Sequence, residues 1–157
     1  MSDRKEALLL AIQNEIMAQN LYALMAKAFT DEQSRAMFLG LVPLEELHED
    51  KLTEVFRSEF GDEDIDVDRE ALPSFKARQS LEDPLNILRF AVDQELVAHA
   101  DYKRLAATAA DDDTRVLFQN LAAEELNHKA LLEARMEEMH GLLTWFDPSE
   151  LNGLMED

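Results

Sequence analysis

Displaced against itself by 80 residues, this sequence aligns positions 8 to 61 with 88 to 141 without a gap, and 14 of those 54 pairs are identical. The identities include Glu15/Glu95, Tyr22/Tyr102, Asp31/Asp111, Phe38/Phe118, Glu45/Glu125 and His48/His128. Shared helical composition alone rarely gives so many matches in one register, so the chain is two related halves. Whatever one half folds into, the other must fold into as well.

Each half reads as two helices. In the first half Leu8, Ile12, Glu15, Gln19, Tyr22 and Ala26 recur at steps of four and three, and Phe38, Leu41, Glu45, His48, Leu52 and Val55 do so after them. That spacing lines up one face of an α-helix. The second half repeats it with Leu88, Val92, Glu95, His99, Tyr102 and Ala106, then Phe118, Leu121, Glu125, His128 and Leu132. Asp31 is the expected N-cap of the second helix and the expected partner of Arg35 one turn on. Asp83-Pro84 supplies a cap and a first-turn proline, Asp111 to Asp113 supply caps for the last helix, and Gly61 and Gly141 are expected stops. Links this short make each half an antiparallel hairpin. Pro43 falls inside the second helix, where a missing backbone donor should kink or bulge it.

The expected architecture is therefore all-α: a four-helix bundle over 1–141, built from repeated hairpins 8–61 and 88–141 joined by a long crossover, 62–83. A tail, 142–157, keeps its apolar residues, and a short helix after Pro148 is one expectation for it. Composition agrees, since only 4 Gly and 4 Pro beside 46% hydrophobic and 31% charged residues suit long helices. The absence of cysteine excludes disulfides, thiolate-bound zinc, iron–sulfur clusters and cysteine nucleophiles. A net charge of -19 opposes binding to nucleic acid and to anionic membranes, and no apolar stretch approaches membrane-spanning length. A soluble, cytoplasmic protein is expected.

The acids carry the chemical signal. Glu15, Glu45, Glu95 and Glu125 fall on the apolar seams, not on the polar faces where helices normally keep glutamates. Four carboxylates buried without compensation would each cost several kcal/mol or be forced to take up protons. No Lys or Arg stands on the seams at that level, but His48 and His128 each follow a seam glutamate by three residues, on the same helical turn. Two divalent ions would balance four carboxylates, with neutral imidazoles completing the shell. One Glu from each of two helices, with a Glu-x-x-His from each of the others, is the ligand set of ferritin-like di-iron and di-manganese carboxylate bundles. Symmetry alone would follow from an old duplication whose seam residues satisfy one another, but duplication does not explain buried acids. His99, one turn past Glu95, is a candidate ligand or proton relay beside the plainer role of a hydrogen-bonded seam histidine, and Tyr22 and Tyr102, two turns past their glutamates, are candidates to hydrogen-bond to carboxylates or carry radicals beside core packing.

The segments NEIMAQNLY at 14–22, LEELHE at 44–49, QELVAHADY at 94–102 and TRVLFQNLAAEELNH at 114–128 resemble the rubrerythrin-like branch of the ferritin-like superfamily, over roughly residues 5–141. The resemblance implies Glu15 and Glu95 as terminal ligands, Glu45 and Glu125 as bridging ligands, and His48 and His128 as nitrogen ligands. It also implies a reduced di-iron centre oxidised by peroxide or dioxygen. Two departures stand out. Rubrerythrins usually add a rubredoxin module with four cysteines, and this chain has none; they usually carry a further glutamate three residues after the third-helix ligand, and here that position is Ala98.

Three functions fit these readings. The leading one is a di-iron oxidase or peroxidase fed by a separate electron-donor protein. The others are an iron-oxidising or iron-storing protein and a non-catalytic metal-binding bundle. Carboxylate-rich ligands favour iron, with manganese as the alternative, over tetrahedral zinc. Oligomeric state is open, a homodimer being one arrangement the sequence allows.

Overall fold

The computed structural model describes residues 2–62, 64–73 and 83–145. Four helices follow one another: α1 (Ser2–Ala28), α2 (Glu32–Phe60), α3 (Pro84–Ala107) and α4 (Asp112–Trp145). Their ends are set by the residues the sequence marks. Asp31 caps α2, its carboxylate accepting from the Ser34 N–H at 2.9 Å, and Asp111 accepts from Thr114 N–H at 2.7 Å in the same way. Asp83 caps α3 ahead of Pro84, and Gly61, at φ 81°, closes α2 by donating to the Arg57 carbonyl.

Two local expectations change. Asp31 pairs with Arg135 of α4 at 2.6 Å, while Arg35 turns back to the carbonyls of Ala26 and Phe29 and so satisfies the end of α1. Helix α4 runs on through Gly141 to Trp145, since an interior glycine costs only about 1 kcal/mol relative to alanine. Pro43 sits on an exposed face of a continuous α2, so the carbonyl it leaves without a donor lies on the solvent side. The segment after Pro148 lies outside the described residues.

Helix directions follow from cross-helix pairs. Tyr22 reaches Glu95 and Tyr102 reaches Glu15, so α1 and α3 run antiparallel; His48 meets Glu125 and His128 meets Glu45, so α2 and α4 do too. Within the hairpins, Arg4 pairs with Glu59 at 2.7 Å and His99 with the Ala122 carbonyl at 2.8 Å. Each of these contacts between halves maps onto its partner by the 80-residue offset, so the repeat is a pseudo-twofold axis of the bundle. That axis exchanges two apolar layers, one around Leu8, Phe56 and Phe118 and one around Met25, Phe38 and Leu88. Stacked Tyr22–Phe38 and Tyr102–Phe118 pairs, at 5.9 and 6.4 Å, bound the slice between the layers.

The crossover is fastened to the first hairpin. Gln13 exchanges two hydrogen bonds with the Asp68 backbone, Asn20 donates to the carbonyls of Arg69 and Ala71, and Arg69 forks onto Glu49. Among the described residues no helix is long and apolar enough to cross a membrane.

Candidate metal centre

The slice between the apolar layers is where the seam acids meet. Glu15, Glu45, His48, Glu95, Glu125 and His128 are all buried, none more than 4% exposed. They form two groups whose ligand atoms lie within 4.8 Å of one another: Glu15, Glu45, His48 and Glu125 on one side, and Glu45, Glu95, Glu125 and His128 on the other. Glu45 and Glu125 belong to both.

Each histidine turns Nδ1 inward. His48 Nδ1 lies 2.8 Å from Glu125 and 3.5 and 3.7 Å from Glu45 and Glu15; His128 Nδ1 lies 2.7 Å from Glu45 and 3.5 and 3.6 Å from Glu125 and Glu95. The rings stack across the pseudo-twofold axis with centroids 5.4 Å apart. Tyr22 and Tyr102 donate their hydroxyls to Oε1 of Glu95 and of Glu15, each across the axis to the other half. The outcome is that Oε2 of Glu15 and Oε2 of Glu95 are buried without any hydrogen-bond partner.

Protons resolve the charge conflict in the protein alone. Burial, reinforced by neighbouring carboxylates, pushes the Glu15 and Glu95 carboxyls well above the ordinary range. Burial works the same way on Glu45 and Glu125 but is outweighed by the neighbouring protonated carboxyls of Glu15 and Glu95 and by both histidines, so these two are held low. Burial also opposes charge on the imidazoles and again loses: carboxylate contacts raise His48 far above its usual value and push His128 up to about 12. Burial and then the adjacent carboxylates raise both tyrosines, keeping their hydroxyls as donors. Two neutral carboxyls, two carboxylates and two imidazoliums sum to zero. Two divalent cations with four carboxylates and two neutral imidazoles also sum to zero. The donor set therefore fits a metal pair, and the unpartnered Oε2 atoms, one in each group, are what such a pair would use.

His99 stands apart. Of the ligand, relay and hydrogen-bonded roles open to it, the structure shows the last: four residues past Glu95 is about 40° around the helix, which carries its Nδ1 to the Ala122 carbonyl of α4 and outside both groups. Tyr22 and Tyr102, seven residues past their glutamates, come back to within about 20° and do reach the centre. The seam pattern did not mark Glu124, whose Oε2 lies 2.5 Å from His48 Nε2. Its signal was available in the repeat, where Glu124 is paired with Leu44.

A cavity of about 80 Å³ joins the centre to the surface between α1 and α3. Its lining runs from exposed Val97 past Asn14, Gln94, Ala18 and Ala98 to Glu15, Glu95, Glu45 and Glu125. Ala98 thus lines the same cavity as the carboxylates.

Comparison with known proteins agrees with this geometry. The family model described as Rubrerythrin matches residues 6–134. A hypothetical protein from Pyrococcus furiosus of known structure is 23% identical, with a TM-score of 0.75 over 92% of this chain and 94% of that one, and shares the fold. No curated protein matches the sequence.

Proposed function

This chain belongs to the rubrerythrin family, and from that premise we propose that it is a non-haem di-iron carboxylate oxidoreductase that reacts with peroxide or dioxygen and is re-reduced by a separate donor protein. The observation that carries the reading is the pair of four-residue groups sharing Glu45 and Glu125, each with one unpartnered carboxylate oxygen. A bound iron pair would supply a Lewis acid and an electron reservoir.

The protein's own side chains do the rest. In this reading Glu15 and His48 would hold one ion and Glu95 and His128 the other, with Glu45 and Glu125 available to both. Tyr22 and Tyr102 occupy Oε1 of the outer glutamates, which leaves Oε2 as the ligand atom and fixes the rotation of each carboxylate. The apolar layers close the centre above and below, and the cavity between α1 and α3 opens it at the side. A cavity of about 80 Å³ admits a molecule as small as peroxide or dioxygen. These 157 residues hold no cysteine for a rubredoxin-type iron, which supports re-reduction by a donor outside them.

Metal analysis of the aerobically purified protein, with its absorption spectrum, tests iron and the pair together: about two irons per chain and near-ultraviolet bands of a bridged ferric pair are expected. The reduced protein alone should show one fast oxidation by peroxide and then stop. Sustained turnover without an added donor would refute the donor-dependent reading.

A further inference from the structure

The pseudo-twofold symmetry of the centre breaks at one contact. His48 presents Nδ1 to the carboxylates and Nε2 to Glu124 Oε2 at 2.5 Å. His128 presents Nδ1 in the same way, but the residue equivalent to Glu124 is Leu44, and among the described residues no group pairs with His128 Nε2.

A carboxylate on the outer nitrogen of a ligand imidazole has two effects. It holds the proton on Nε2, so that Nδ1 offers its lone pair inward, and it raises the basicity of that lone pair. It also fixes the ring plane. Glu124 comes from α4, the helix opposite His48, so the contact sets the ring against a neighbouring element as well as against its own helix. We propose that Glu124 is a positioning residue for His48 and that it makes the two ion positions unequal, the one held by Glu15 and His48 being the tighter. This rests on the metal-pair reading of the centre. The asymmetry belongs to this chain's residues 44 and 124, and either substitution restores symmetry: Glu124→Leu by removing the contact, Leu44→Glu by duplicating it.

Calorimetric titration of the metal-free protein with Mn²⁺ under anaerobic conditions tests this. The parent should bind two ions in steps separated by about 10–100-fold. Glu124→Leu should narrow the separation by weakening the tighter step, and Leu44→Glu should narrow it by tightening the weaker one. Glu124→Gln keeps an acceptor oxygen, so it should retain a separation that Glu124→Leu narrows, which a merely structural role would not give. The Glu124 side chain is 41% exposed, so these variants are expected to fold, with helicity by circular dichroism as the control. Two bound ions with unchanged steps in Glu124→Leu would overturn the role of Glu124 while leaving the metal pair intact. A parent that binds no ions would overturn both.

Discussion

His48 and His128 occupy equivalent places, 2.8 and 2.7 Å from the shared glutamates Glu125 and Glu45, and their rings stack nearly parallel. Their outer surroundings differ. On the His48 side stand Glu124, a buried Gln19 bonded to Glu49, and the crossover fastened through Arg69. On the His128 side stand Leu44, the His99 bond to a backbone carbonyl, and an exposed Lys129–Glu133 pair. The contrast teaches where this bundle is constrained. Residues that touch the centre are held to the repeat by charge balance, because one unmatched buried charge costs several kcal/mol. One layer out, solvent and single hydrogen bonds set the scale, and the halves have diverged.

The sharpest way to break the equivalence is to remove what the halves share. Glu45→Ala with Glu125→Ala takes two of the three carboxylates from each group, and metal content should fall from about two ions to near zero. His48→Ala alone should mainly weaken one. Elemental analysis after desalting decides; unchanged content in the double variant would overturn the site.

Metal uptake itself is the next largest effect. At neutral pH the metal-free centre holds protons on Glu15 and Glu95, whose carboxyls are raised, and on His48 and His128, whose imidazoles are raised. All four must leave for the ligands to bind, so loading should release about four protons per ion pair. The sign follows: lowering the pH favours the protonated, metal-free state, so affinity falls steeply on acidification. Calorimetry in buffers of different ionisation enthalpy counts the protons, and a count near zero would contradict the charge bookkeeping of both halves.

How far the sequence revealed this depended on distance from the axis. Glu15, Glu45, His48, Glu95, Glu125 and His128 were legible because a charge on an apolar seam demands an explanation, and the 80-residue repeat supplied it twice. Asp31, Asp83 and Gly61 were legible because capping is local. The seam pattern alone left His99 open between a ligand or relay and a hydrogen-bonded seam residue, and the latter is what the structure has, because a step of four rotates the side chain towards α4. Arg135 was not read at all. It is buried among Ser34, Gln33, Asp31 and Glu138, three of them on or beside the start of α2, and only the antiparallel packing of α2 on α4 brings them together.

The tyrosines offer a milder test of symmetry. Tyr22→Phe and Tyr102→Phe each leave another buried carboxyl oxygen unpaired, at about 1–3 kcal/mol. Because the two hydroxyls are related by the pseudo-twofold axis, the penalties should agree within about 0.5 kcal/mol in urea denaturation of the metal-free protein. A large difference would mean that the asymmetry of the outer layer reaches the centre.

The smallest effect is expected where the halves differ most, at the crossover. Arg69 is 61% exposed, so its fork onto Glu49 should contribute only about 0.2–1 kcal/mol, screened by salt. Glu49 also accepts from buried Gln19 at 2.9 Å, so Glu49→Ala should cost more, about 1–3 kcal/mol, by leaving that amide without its partner. The Arg69 hydrogen bond, opposed by burial and aided by Gln19, holds the Glu49 carboxyl below its usual range. A depressed carboxyl adds stability above its unfolded-state value and loses it as the pH falls through the folded one, so the Arg69→Ala penalty should shrink on acidification. Denaturation of both variants at neutral and acid pH measures this. If Arg69→Ala proves the costlier of the two, the crossover is held by its guanidinium, and the inner Gln19–Glu49 pair is only a bystander.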